Sequence, residues 1–220
     1  MTQTLIRGMP CLFSGSPFAQ GWESVTDVIE DGAVVIQDGC ILRAGRFGDL
    51  SRDFPDAHVT GNPSHLLLPG FVDAHVHYPQ TAIIASWGRR LIDWLNTYTF
   101  PEEGRFGDPG YARAQADLYL DLALANGTTT VASFCTIHPE SVDAVFEAAA
   151  ARGMAVVAGK TCMDRNAPEF LSDTAQTAYD QSKELIARWH GTGRATYAVT
   201  PRFAPTSSEA QLEAMGALWA

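Results

Sequence analysis

The distribution of apolar and polar residues along the chain changes near residue 66. Before that point the apolar runs are short and separated by turn residues, which is typical of β-strands, and Asp38-Gly39 between GAVVIQ and CILRAG predicts a two-residue hairpin. Beyond it, apolar runs of strand length alternate with segments whose apolar residues recur every three or four positions. The pattern predicts a β-rich part over residues 1–65 and an α/β part over residues 66–220.

Within the α/β part, strands and helices alternate. The stretches NGTTTVASFCT, MAVVAGKTCM and ATYAVTPRF predict strands, and YDQSKELIARWHG predicts a helix. A helix over residues 139–153 is predicted by apolar residues on one face, namely Val142, Val145, Phe146 and Ala149. Gly153 is a typical helix stop and Ser208 a candidate N-cap for a last helix.

Counted from Leu66, four strand–helix units are expected, and this order favours a parallel sheet. Four units would be half of a (β/α)8 barrel, whose usual length is about 250 residues. About 155 residues remain after the β-rich start, so the chain is expected to be the N-terminal portion of something longer.

Composition and charge limit the classes of protein. With 46% hydrophobic and 18% charged residues the chain is globular, and its formal charge of -10 without a basic cluster argues against nucleic acid and anionic membranes as partners. The four cysteines contain no C-x-x-C pair, which excludes a zinc ribbon and the metal site of cytidine-type deaminases. No signal peptide or membrane span is evident, so a cytoplasmic location is expected.

The strongest candidate for chemistry is the stretch PGFVDAHVHYPQ, residues 69–80. It predicts a turn followed by a buried strand, on which His75 and His77 project from one face with backbones roughly 6.6 Å apart. Both imidazoles can then reach one ion, because zinc takes neutral imidazole nitrogens at ~2.0–2.1 Å. Asp73 is on the same face and is a candidate to orient one of the histidines.

The motif resembles a known superfamily. Pro69-Gly70 followed by Asp73-x-His75-x-His77 is similar to the first-strand metal motif of the amidohydrolases, which are zinc-type hydrolases on a TIM barrel with a small β-sandwich built from the two chain ends. This resemblance implies that Asp73 lies beside a metal site.

Further stretches narrow the resemblance to the guanine deaminase family. LIDWLNTYTFPEE, NGTTTV, KTCMDRNAP, SKELIARWH and TPRFAPTS match it in order over most of residues 65–208. The implied fold is α/β, a (β/α)8 TIM barrel of which residues 66–220 supply roughly the first four units, with residues 1–65 in the sandwich part.

The resemblance assigns roles to individual residues. His75 and His77 match the first two metal ligands, and Gln80 matches the glutamine that hydrogen-bonds the purine. Arg202 and Phe203 match the arginine at the carbonyl edge of the base and the aromatic residue that packs on its ring. Three further residues fall in the segment that walls the pocket, Trp87, Leu91 and Trp94.

These residue types suit a neutral planar base. Gln80 can offer a donor and an acceptor together to an amide edge, and Arg202 presents a donor fork to a carbonyl oxygen or ring nitrogen. Position alone favours a solvated loop glutamine and a strand-end charge, and only the resemblance favours the substrate contacts. For Asp164-Arg165-Asn166 a local loop network is favoured over a direct substrate contact.

The implied activity is hydrolytic deamination of guanine to xanthine and ammonia with one Zn²⁺ per active site. In the family the catalytic carboxylate belongs to a His-x-x-Glu segment after the fifth strand, which residues 203–220 do not contain, so no catalytic residue is assigned and the chain alone is expected to be inactive. A homodimer is compatible with the resemblance. The alternatives are an amidohydrolase for another heterocycle, a triazine or a pterin, and a non-catalytic half-barrel that binds a partner through open strand edges.

Overall fold

A computed structural model describes residues 2–219 and divides the chain into two units, Met1–Pro69 and Gly70–Ala220. The first unit ends at Pro69, whereas the sequence pattern placed the change after residue 65. None of the helices within residues 2–219 combines the length and the apolar character that a membrane crossing requires.

The first unit is built on one five-stranded sheet. Its strands are β1 (Gln3–Phe13), β2 (Thr26–Val28), β3 (Gly32–Gln37), β4 (Cys40–Arg46) and β5 (His58–Leu67). Its helices are α1 (Pro17–Gln20), α2 (Trp22–Val25) and α3 (Phe47–Asp53). The strand order is β2-β1-β3-β4, with β5 parallel to β1. Leu5, Ala33 and Val35 of the sheet form a small core with Leu50 of α3.

The predicted hairpin is confirmed. Strands β3 and β4 pair antiparallel, with Gln37 opposite Cys40, and the turn residues Asp38 and Gly39 both have positive φ, 51° and 76°. Two-residue hairpins require this left-handed backbone because its twist matches that of the strands. Residues 2–69 form no second sheet to face this one, so the sandwich stays a prediction.

The second unit alternates strands and helices. Its strands are β6 (Phe71–His77), β7 (Thr128–Phe134), β8 (Ala155–Gly159), β9 (Thr161–Cys162), β10 (Ala195–Tyr197) and β11 (Thr200–Pro201). Its α-helices are α4 (Leu91–Trp94), α5 (Phe100–Gly104), α6 (Pro109–Ala125), α7 (Pro139–Arg152), α8 (Ala175–Trp189) and α9 (Glu209–Trp219). Short 3₁₀ turns and one π-helical turn, Leu95–Thr99, lie between them.

Strands β6, β7, β8 and β10 form one parallel sheet in the order β10-β8-β7-β6. A second short parallel ladder, β9 with β11, follows beyond the ends of β8 and β10. The core of the unit lies between sheet and helices and is filled by fully buried side chains that include Leu120, Val131, Val145, Phe146, Val156 and Leu185. The chain therefore has the α/β half-barrel sheet that the strand–helix alternation predicts.

The predicted helix ends are also observed. Gly153 ends α7 in the left-handed conformation with φ 66°, which a glycine adopts without steric cost. The Oγ of Ser208 accepts a hydrogen bond from the backbone N–H of Gln211 at 3.1 Å, so Ser208 caps α9.

The prediction of a buried strand is wrong for β6. Phe71 and Val72 are 56% and 65% exposed, and no residue of β6 is fully buried. The physical reason is position: β6 is the edge strand of its sheet and pairs only with β7 within the described residues. An apolar run cannot tell an edge strand from a central one.

Gly159, at the end of β8, is a testable constraint on the sheet. A Cβ added there would lie 1.9 Å from the carbonyl oxygen of Ala198, and this backbone atom cannot rotate away. We expect Gly159→Ala to lower the free energy of unfolding by about 1–3 kcal/mol, the usual cost of overpacking, as measured by chemical denaturation.

The matched control is Gly216→Ala in α9, where an added Cβ meets nothing within 4 Å. We expect this variant to equal or exceed the original stability, because alanine favours a helix interior over glycine by about 1 kcal/mol. Equal stability of the two variants would contradict the close approach at Gly159.

Candidate active site

A cleft of about 430 Å³ lies at the C-terminal end of β6. Its lining includes His75, His77, Gln80, Trp94 and Tyr119. The two histidines end the strand, and Gln80 sits in the 3₁₀ turn Tyr78–Ile83 that follows it. In parallel barrels, ligands bind at this end of the strands.

The two histidine rings lie together, as the spacing predicts. Their centres are 5.4 Å apart with the planes at 82°, and His77 stacks on Phe134 at the end of β7, with 4.8 Å between ring centres. Phe134 also touches the ring of His75 edge-on at 5.9 Å. One phenylalanine on the neighbouring strand therefore fixes both imidazoles.

The environment of His77 suits a metal ligand. Its Nδ1 is buried and has no hydrogen-bond partner among the described residues. Burial, the Arg202 charge and neighbouring His75 lower the pKa of His77 to about 4, so the imidazole is neutral at pH 7. Neutral imidazole is the form that binds divalent ions, and a buried nitrogen without a partner needs one.

Asp73 makes a different contact from the one predicted. Its Oδ1 accepts a hydrogen bond from the backbone N–H of His75 at 3.2 Å, in a stretch where the register of β6 against β7 shifts between Asp73 and Val76. The contact holds the local backbone. Orientation of an imidazole by Asp73 remains a prediction.

The structure adds a residue to which the sequence assigned no role, Glu103. Its Oε1 accepts a hydrogen bond from Nε2 of Gln80 at 3.0 Å, and its two oxygens pair with both terminal nitrogens of Arg202 at 2.5 and 3.1 Å. Gln80 and Arg202, 122 positions apart in sequence (202 minus 80), are thus joined through one carboxylate. The only sequence signal was the FPEE stretch, which resembled the family without an assigned function.

The three aromatic candidates differ in their position relative to the cleft. Trp94 lines the cleft and donates its indole N–H to the carbonyl oxygen of Ser86 at 3.1 Å. Trp87 and Phe203 are 76% and 41% exposed and are not among the residues that line it. A substrate contact by either of these two stays a prediction.

The model of the amidohydrolase family matches residues 66–218, which include all but the last two residues of the α/β unit and every residue of the site. The chain belongs to the amidohydrolase family. Its half-barrel sheet is accordingly a part of the TIM-barrel fold of that superfamily.

The guanine deaminase of Escherichia coli (strain K12) is 49% identical to this amidohydrolase over 185 residues, which are 84% of the chain and 42% of that protein. The probable guanine deaminase of Deinococcus radiodurans is 42% identical over 92% of the chain and 47% of its own length. The chain spans about half the length of the curated relatives it matches.

Solved structures agree with the sequence comparison. The structure of E. coli guanine deaminase superposes on this chain with a TM-score of 0.92 and 44% sequence identity, covering 98% of this chain and 50% of that one. The C. acetobutylicum enzyme with guanine in its active site has a TM-score of 0.83 at 26% identity, over 99% and 50%. An adenosine deaminase from Xanthomonas campestris with bound zinc shares the fold, with a TM-score of 0.79 at 22% identity over 99% and 46%.

The Asp164-Arg165-Asn166 segment of this amidohydrolase contacts protein. Asp164 accepts a hydrogen bond from the backbone N–H of Ser208 at 2.7 Å. Arg165 and Asn166 each donate to a backbone carbonyl oxygen at 2.7 Å, those of Ala204 and Pro205. The segment ties the loop after β9 to the loop before α9, which is a structural role.

A buried ion pair supports the same end of the sheet. Nζ of Lys160, directly after β8, pairs with the carboxylate of Asp173, and their side chains are 0% and 4% exposed. Oδ1 of Asp173 also accepts from the backbone N–H of Met163 and from Nε2 of Gln211 in α9. Asp173 therefore links the end of β8 to the last helix.

Removal of the Lys160 charge tests this link. We expect Lys160→Met to lower the free energy of unfolding by about 3–5 kcal/mol, because it leaves the Asp173 carboxylate buried without its counter-charge. The control is Lys183→Met on the exposed side of α8, expected within about 0.5 kcal/mol of the parent. Similar unfolding curves for the two variants would show that the Lys160–Asp173 pair does not stabilise the fold.

Proposed function

We propose that this chain is part of a guanine deaminase that uses zinc to hydrolyse guanine to xanthine and ammonia. The observation that carries the proposal is the meeting of the His75–His77 pair with Gln80 in one cleft, where Gln80 is held to Arg202 through Glu103. The E. coli guanine deaminase relative at 49% identity and the guanine-bound C. acetobutylicum structure support it.

Gln80, which lines the cleft, and Arg202, which is joined to Gln80 through Glu103, suit the substrate. Guanine is a neutral planar base whose six-membered ring carries an N–H beside a carbonyl, so it needs an acceptor and a donor side by side. Gln80 supplies an amide oxygen, and Arg202 has N–H groups beyond the two that bind Glu103. Phe203 and Trp94 are proposed to pack against the ring, and Trp87 to wall the pocket.

The metal would be held by His75 and His77 together with groups outside this chain. Zinc, when bound, supplies a Lewis acid that activates water near neutral pH. The chain's own part is to keep His77 neutral and to fix both rings against Phe134. Asp73 is proposed to steady His75 through its backbone.

Catalysis is proposed to need more than this chain. Within residues 2–219 no group of three His, Cys, Asp or Glu side chains is placed to hold a metal, whereas catalytic zinc sites use three protein ligands. We therefore propose that four β/α units here belong to an eight-unit barrel and that the chain alone is inactive. Cytoplasmic location and homodimerisation remain predictions.

Turnover by the complete protein tests the proposal. We expect the zinc-loaded protein to convert guanine stoichiometrically to xanthine and ammonia, measured by chromatography of the bases and an ammonia assay. The isolated chain of 220 residues should show no turnover above buffer. Hydrolysis of a triazine or a pterin with guanine left intact would replace the proposed substrate, and absence of any hydrolysis would favour a binding module.

Metal content tests the histidine pair independently of turnover. In the complete protein we expect His77→Gln to weaken zinc binding more than 100-fold. Even loss of a residue that only hydrogen-bonds to a metal ligand weakens metal binding about 10–100-fold. The matched control is His65→Gln on exposed β5, which should keep the zinc content of the parent. Zinc per protein is measured by elemental analysis after dialysis against a weak chelator; equal content in both variants would remove His77 from the site.

A further inference from the structure

Glu103 is a buried carboxylate with partners from two different parts of the barrel. Its side chain is 1% exposed, and Arg202, its ion-pair partner after β11, is 7% exposed. Gln80, which follows β6, donates to the same carboxylate. A charge removed from water this completely is stable only when its partners are fixed around it.

This contact decides which way the Gln80 amide points. An ionised carboxylate only accepts hydrogen bonds, so the NH₂ end of Gln80 must face Glu103. The amide oxygen then has no hydrogen-bond partner among the described residues, and Gln80 lines the cleft. Gln80 is thereby fixed as an acceptor toward a ligand, whereas a free glutamine presents either end.

The same contact fixes Arg202. Both terminal nitrogens bind Glu103, so the guanidinium plane is held by a two-point contact and lies 5.9 Å from the centre of the Phe100 ring. The remaining N–H groups therefore point in set directions. One carboxylate thus positions an acceptor and a donor together.

We propose that Glu103 is a positioning residue that makes the site selective for bases with a lactam edge, an N–H donor beside a carbonyl acceptor. The inference rests on the proposed function, because it names what sets the specificity of that same cleft. An acceptor fixed at Gln80 matches the ring N–H, and a donor fixed at Arg202 matches the carbonyl oxygen. A base without that edge leaves both groups unpaired, which binding sites penalise.

A purely structural Glu103 would act differently. If the carboxylate only neutralised the buried Arg202, any variant that kept the negative charge would keep the selectivity. Glu103→Asp keeps the charge, yet its side chain is one methylene shorter and cannot reach Gln80 and Arg202 in the same way. Glu103→Gln keeps the length, loses the charge and offers its amide as either donor or acceptor.

Binding of two ligands that lack the amino group tests selectivity without turnover. Hypoxanthine has the lactam edge and purine does not. We expect the complete parent protein to bind hypoxanthine at least about tenfold more tightly than purine in titration calorimetry, and both Glu103→Gln and Glu103→Asp to reduce that ratio to near one. A contact that fails to form on a base edge typically costs a factor of this order or more.

Glu102→Gln is the matched control. Glu102 is a neighbouring, nearly buried carboxylate that binds Arg105 and Tyr111 and, within residues 2–219, forms no hydrogen bond or ion pair with Gln80 or Arg202. This variant should keep the parental hypoxanthine-to-purine ratio. Thermal unfolding of each variant checks that the binding ratios are compared between folded proteins. If Glu103→Gln does not fold, the binding ratio of Glu103→Asp alone tests the role of Glu103.

The outcomes separate the two proposals. A parental protein that fails to deaminate guanine overturns the proposed function, while the ratio of hypoxanthine to purine binding is measured regardless. A parental ratio near one, or a ratio unchanged in Glu103→Asp, overturns the role of Glu103. A ratio lost in both Glu103 variants and kept in Glu102→Gln establishes it.

Discussion

The parallel pairing of β6, β7, β8 and β10 is the constraint on which the site depends. Parallel ladders place all strand C-termini at one edge, so residues distant in sequence must meet there. His77 at the end of β6 packs on Phe134 at the end of β7 for this reason. Gly159 permits the close approach of backbone to backbone at the same edge.

Polar groups gathered at one edge of the sheet include charges that are buried at a cost in desolvation free energy, and two ion pairs offset this cost. Isolated buried charges are strongly unfavourable, and pairs are tolerated only with good geometry and further hydrogen bonds. Lys160 with Asp173 and Arg202 with Glu103 both meet that requirement, and each carboxylate accepts from additional donors. One pair links the strand end to the last helix, and the other holds Gln80, which lines the cleft.

The sequence predicts what depends on local periodicity. The helix at 139–152, the Asp38-Gly39 hairpin and the shared face of His75 and His77 follow from spacing alone. The exposure of β6 does not, because a strand's place in a sheet is a tertiary property. The first of the four expected strand–helix units contains helix α6, whose bounds the apolar pattern does not predict, although Asp108 before Pro109 is a strong start signal and its side chain accepts from the backbone N–H of Gly110 at 2.8 Å.

Glu103 shows why part of a site escapes sequence analysis. Nothing in the spacing of Gln80, Glu103 and Arg202 indicates that they meet, since their contact requires the turn after β6, helix α5 and the end of β11 to converge. The contact also pairs the positive charge of Arg202, which acts on His77, with a negative charge. Arg202 lowers the pKa of His77, so its charge reaches the histidine pair, and an unpaired arginine there would oppose a divalent ion. Pairing with Glu103 reduces the net charge that Arg202 presents to the histidine pair.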